Sequence, residues 1–119
     1  MGDLELEKIS IVTYKDKKDD VYISYCPELQ LCGYGKSEFK ARKSFVIVFK
    51  EYLRYTLEKK TLTADLKKHG WKISKKNKKA KPPKISELVL SNEELEKILE
   101  EYTYTKCVIR GVVVKRRSQ

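Results

Sequence analysis

"VYISYCPELQLCGYGKSEFKARKSF" (residues 21–45) decides how this chain folds. Its first five residues mix β-branched and aromatic side chains, the composition of a strand. Pro27 has no amide hydrogen to give to a ladder, so the strand ends there and the chain turns a corner. Residues 29–34 offer a short third strand with Leu29 and Leu31 on one face. Gly33 and Gly35 bracket Tyr34 and relax the backbone ahead of Ser37, a natural helix N-cap with Glu38 in the first turn. The glycines lack both the Gly-x-Gly-x-x-Gly spacing and a following Lys-Ser/Thr, so they do not form a phosphate-binding loop.

From Ser37 the periodicity predicts a helix reaching about residue 60. Ala41, Phe45, Val48, Phe49, Tyr52, Leu53 and Leu57 recur at three- and four-residue steps, which makes one apolar stripe. Lys40, Lys43, Lys50, Arg54 and Lys59 fall mostly outside it. Upstream, residues 6–14 read as a strand that pairs with residues 21–25 across the polar turn 15–20. Asp16, Asp19 and Asp20 in that turn read as solvated turn formers rather than metal ligands.

Downstream, "TLTADLKKHG" (residues 61–70) predicts a short helix stopped by Gly70 in the left-handed conformation. "WKIS" (residues 71–74) is extended, with Trp71 packing back on the sheet. "KKNKKAKPPK" (residues 75–84) reads as a hinge, because like charges repel and two prolines stiffen its end. "KISELVL" (residues 84–90) reads as a strand. Ser91 with Glu94 forms a capping box for a helix carrying Leu95, Ile98 and Leu99 on one side. Residues 102–115, "YTYTKCVIRGVVVK", have high β-propensity and invite aggregation unless paired. They are expected to join the main sheet or that of a second copy.

The expected fold class is α+β. A small three- to four-stranded antiparallel sheet packs against one long helix, with a C-terminal helix–strand extension. The divisions are residues 1–74, a basic linker at 75–84, and a unit at 85–119 suited to homo-oligomerisation.

Composition bounds the function. The chain has 119 residues, 40% apolar and 37% charged, which suits one domain with an appendage. No run approaches the roughly 18 apolar residues of a membrane span. The opening "MGDLELEKIS" has acids where a secretory leader is basic, and Leu6 stands where myristoylation needs Ser or Thr. A cytoplasmic location is expected. Cys26, Cys32 and Cys107 are odd in number and read as reduced thiols buried as small hydrophobes. With His69 they lack the Cys-x-x-Cys spacing of a zinc site, so neither a metal nor a cofactor is expected. His69 has no Ser or Cys in an activation motif nearby and is a weak catalytic candidate.

The net charge of +10 is concentrated. Residues 1–60 carry 12 bases and 10 acids, residues 61–84 carry 9 and 1, and residues 85–119 carry 6 of each.

The stretch from Asp20 to Lys60 resembles the HicB family of antitoxins. In that family a hairpin leads to a Tyr-x-Pro-Glu-Leu-type corner, then a short strand, a Gly/Ser turn and a Ser/Thr-x-x-x-Ala helix. Tyr25, Pro27, Glu28, Leu29, Cys32, Gly35, Ser37 and Ala41 stand at the matching positions. The resemblance covers the first half of the chain. It implies a partial ribonuclease H-like fold without catalytic acids and a non-enzymatic role: binding and masking a small HicA-like toxin ribonuclease, often with repression of the operon by oligomers. The partner-binding candidates are Tyr25, Pro27, Glu28 and Leu29.

The competing expectation is a nucleic-acid-binding protein acting through the basic residues 67–84. Lys75, Lys76, Lys78, Lys79 and Lys81 would neutralise phosphates of DNA, reading charge rather than sequence. Retained ribonuclease H-like hydrolysis is not expected, since two-metal chemistry needs converging carboxylates. This sequence offers only turn aspartates and helix-surface glutamates.

Overall fold

The computed structural model describes residues 3–115, which form six strands and four helices. The fold is α+β. Its axis is β1 (Leu4–Lys15), which uses both edges. One edge pairs antiparallel with β6 (Tyr104–Val114) from Leu4–Val114 to Tyr14–Tyr104. The other edge is shared. β2 (Tyr22–Cys26) takes residues 12–15 antiparallel, and β5 (Lys79–Lys81) takes Glu5 and Leu6 in parallel. β3 (Leu31–Gly35) extends the sheet beyond β2, and β4 (Lys72–Ser74) extends it beyond β5.

The sheet is therefore mixed and six-stranded, not a purely antiparallel sheet of three or four strands. The difference arises in the lysine-rich stretch. β4 and β5 form a hairpin with Lys72 opposite Lys81, Ile73 opposite Ala80 and Ser74 opposite Lys79. Ala80 is fully buried and Ile73 packs on the core, so two small apolar anchors hold a stretch that looks unanchored in one dimension. Residues 75–84 thus contain a turn and a strand of the sheet instead of a linker, and β6 ties residues 104–114 into the same sheet.

α1 (Glu38–Glu58) begins where Ser37 caps it, its Oγ accepting the Lys40 amide at 3.2 Å. The stripe buries Ala41, Phe45 and Phe49. With α2 (Leu62–Lys68) and Trp71 it covers one face of the sheet over Leu4, Leu6, Ile9, Ile11 and Cys26. Gly33 and Gly35 make this seating possible. A Cβ on Gly33 would lie 2.2 Å from the Phe45 amide nitrogen, and one on Gly35 would lie 2.6 Å from that of Ala41. These glycines are bare so that helix backbone can rest on strand backbone.

Helices cover the second face too. "KISELVL" forms α3 (Ile85–Ser91) rather than a strand, because Ile85, Leu88 and Val89 lie at helical spacing and meet Val12, Tyr14 and Tyr25. α4 (Glu93–Glu101) adds Leu95 and Ile98 to that cluster. Its cap is Asn92, whose Oδ1 accepts the Leu95 amide at 3.0 Å, so Ser91 is not the capping residue.

β1 serves both faces by changing parity. Leu4 and Leu6 point to the α1 side, as do Ile9 and Ile11, which leaves both Glu7 and Lys8 outside the core. β6 makes the same step opposite, where Gly111 has φ +67° and Val112, Val114 and Ile109 all reach the α1 cluster. An extra residue on each strand keeps the register while turning the side chains over. Among the described residues no helix is long and apolar enough to cross a membrane.

Candidate functional site

The proline corner is an interior joint. Between the segments of β1 taken by β2 and β5 lies a gap, and Glu28 fills it: its Oε1 accepts the Ser10 amide at 2.9 Å and the Cys26 thiol at 3.5 Å. The Glu28 carbonyl accepts Trp71 Nε1 at 2.9 Å, which ties the corner to the chain after α2. Glu28 and Pro27 are wholly buried, and Leu29 and Tyr25 are 2% and 6% exposed. The Tyr25 hydroxyl accepts Asn92 Nδ2 at 2.9 Å, so the same asparagine caps α4 and docks it on β2.

Tyr25, Pro27, Glu28 and Leu29, the residues expected to meet a partner, are all buried within the described chain. A carboxylate is read from sequence as exposed because burial costs it hydration. Here backbone and indole groups from elsewhere compensate one oxygen and the carbonyl. Glu28 Oε2 and Ser10 Oγ have no partner among the described residues.

The thiols are scattered. Cys26 is buried, and burial with the neighbouring Glu28 pushes its thiol well up, which suppresses the reactive thiolate. Cys32 is half-buried and Cys107 is exposed on β6, so only Cys26 is a buried hydrophobe as expected. His69 Nδ1 contacts the Asp65 carbonyl at 2.8 Å and the Asp65 carboxylate at 3.4 Å, while Asp65 also accepts the Tyr52 hydroxyl. This triplet joins α2 to α1. Asp16 is held by its own turn, accepting the Asp19 amide at 2.9 Å, and Asp20 pairs with Lys15 at 2.9 Å. Among the described residues no three His, Cys, Asp or Glu side chains gather as a metal site.

The lysines behave differently. Lys75, Lys76, Lys78, Lys79 and Lys81 are all exposed. Lys75, Lys76 and Lys78 line the turn of the β4–β5 hairpin, where Lys78 takes φ +54°. Ala80 faces the core, so Lys79 and Lys81 project from the opposite side of β5. Lys72 stands directly across from Lys81, a member the sequence reading missed because only the register brings it there. None of these six takes part in an ion pair among the described residues. Beside them lies a shallow depression of about 260 Å³ formed by Lys72, Lys81, Lys84 and Glu87 around Gly70, Pro82 and Pro83.

A second exposed patch runs along α1. Val46 and Ile47 face out between Lys43 and Lys50, with Phe39 exposed one turn earlier and Lys43 Nζ 5.3 Å from its ring centre. Arg54 is spent on Glu51 and Glu58, at 2.8 and 2.9 Å.

No protein-family model matches the chain, and no curated protein or solved structure is significantly similar to it.

Proposed function

We propose that this is a non-enzymatic nucleic-acid-binding protein whose β4–β5 hairpin lies along a phosphate backbone. The observation that carries the reading is the Lys72–Lys81 pair. Like charges directly opposite in a ladder destabilise it, and no acid of the described chain offsets them through an ion pair. A polyanion would relieve that repulsion and release its own counterions. Lys75, Lys76, Lys78 and Lys79 extend the same positive surface around the turn. Lysine offers point charges without the planar fork of arginine, so the contacts fix position and carry little base discrimination.

The test is fluorescence anisotropy with a labelled 20-base-pair duplex across a salt series. With about five phosphates neutralised, log K should fall against log salt with a slope near −4.5. Substituting Lys79→Glu and Lys81→Glu together should flatten the slope by about two units. Absence of binding at low salt, or binding indifferent to the double substitution, refutes the reading.

The second reading, which the HicB resemblance implies, is masking of a small HicA-like toxin ribonuclease. With the corner interior, the surface that supports it is the α1 stripe of Phe39, Val46 and Ile47, apolar side chains that α1 leaves in water. Co-purification of such a ribonuclease, lost in Ile47→Asp, is its expected result. Retention unaffected by Ile47→Asp would count against this stripe.

A further inference from the structure

We infer that the outer edge of β6 is a docking site for an acidic, extended segment of a partner protein, added as a further strand. β6 has 11 residues and, among the described residues, pairs only with β1, so one edge of it is left open there. The edge is apolar as well as open, with Tyr104, Val108 and Val113 at 41%, 37% and 52% exposure. Natural edges are usually shortened, covered, broken by proline, bulged or charged. Among the described residues this one is not short, covered or proline-broken, and its guards are the step at Gly111 and the cations Lys106 and Arg110.

The direction of its hydrogen-bonding groups follows from β1. The Ser10 amide points to Glu28, away from β6, so Ser10 and Val108 face each other as a non-hydrogen-bonded pair. Val108 therefore turns its amide and carbonyl outward, and alternation gives the same orientation to Lys106 and Tyr104. A polypeptide strand matches this edge because it supplies both donors and acceptors. A phosphate backbone supplies acceptors only and would leave the outward carbonyls unmatched.

Charge selects the occupant. From Tyr104 to Lys115 the chain has Lys106, Arg110 and Lys115 and no acid. Two copies of β6 would stack those cations along one seam, a repulsive arrangement. Ile109 packs towards α1, so Lys106, Val108 and Arg110 share the other face. The complementary strand carries acid, any residue, β-branched apolar, any residue, acid.

The probe is an acetylated, amidated nonapeptide, Thr-Thr-Thr-Glu-Thr-Val-Thr-Glu-Thr, alongside a counterpart with both Glu replaced by Lys. Titration by NMR with amide exchange should slow exchange at Tyr104, Lys106 and Val108, while Thr105, Cys107 and Ile109 are protected from the start. The acidic peptide should bind about tenfold tighter than its lysine counterpart. Val108→Pro removes only an outward amide, so it should abolish peptide binding and keep the fold. If that variant unfolds, Lys106→Glu with Arg110→Glu should invert the peptide preference instead. The inference is overturned by equal affinity for the two peptides, or by no binding at millimolar peptide. It is also overturned if a DNA duplex protects the same amides, or if they are already protected by a dimer that Val108→Pro dissolves.

Discussion

Replacing Gly33 by alanine tests the seating of α1 on the sheet. The added Cβ would stand 2.2 Å from the Phe45 nitrogen, 2.6 Å from its Cα and 2.7 Å from the Ala41 carbonyl oxygen, all of them helix backbone. Real contacts of a Cβ do not fall below 3.0 Å, so the helix must retreat by about 0.8 Å or more. No side-chain rotation relieves this, because the obstructing atoms belong to a 21-residue helix. Overpacking costs about 1–3 kcal/mol, and a retreating helix also loosens the fully buried Phe45, so a total of about 3–4 kcal/mol is expected.

For a chain of this size that is a fall in Tm of roughly 12–16 °C. Urea unfolding and thermal melting, both followed by circular dichroism, read the two quantities in turn. Gly111→Ala is the control. Nothing lies within 4 Å of its Cβ, so it suffers only the left-handed backbone at φ +67°, about 1–2 kcal/mol. A Gly33→Ala variant no less stable than Gly111→Ala would refute the close-approach argument.

Two further outcomes follow from the interior. Tyr25→Phe should cost about 1–2 kcal/mol by leaving the buried Asn92 amide unpaired, and Asn92→Ala should cost more because it also removes the α4 cap. The double variant should lose less than their sum by about 1 kcal/mol, and strict additivity in urea unfolding would deny the bond between them. In alkali, burial raises the Cys26 thiol above its ordinary 9.0 and the Tyr14, Tyr25 and Tyr52 phenols above 10.0. The folded state therefore holds these protons longer than the unfolded chain. Their contribution is fully present below pH 9 and is lost progressively above it, first through Cys26 and then through the tyrosines. Urea midpoints that stay level between pH 8 and pH 11 would contradict this.

Which parts of the fold were legible in the sequence depends on the range of the forces involved. The hairpin, the break at Pro27, the Ser37 cap and the α1 stripe rest on neighbours within four residues, and they lie close to their expected places. Gly70 at φ +88° belongs with them, whereas the burial of Trp71, anticipated from its apolar bulk, is completed by the distant Glu28 carbonyl. The candidate surface was half legible. Lys75, Lys76, Lys78, Lys79 and Lys81 are exposed as a lysine run should be, but their rigid display and the partner Lys72 depend on a strand register set by Ala80 and Ile73.

Sequence alone determined the local elements, the basic excess and where it is concentrated, because propensity, capping and charge are carried by each residue and its near neighbours. Only the tertiary structure decided that Glu28 is a buried joint, that "KISELVL" is helical, and that "KKNKKAKPPK" contributes a strand. Each was settled by a partner far along the chain: the Ser10 amide for Glu28, the Val12–Tyr14 face for α3, and the free edge at Glu5 and Leu6 for β5. A buried carboxyl group, a helix face or a strand edge gains its free energy from what covers it, and folding alone brings that cover near.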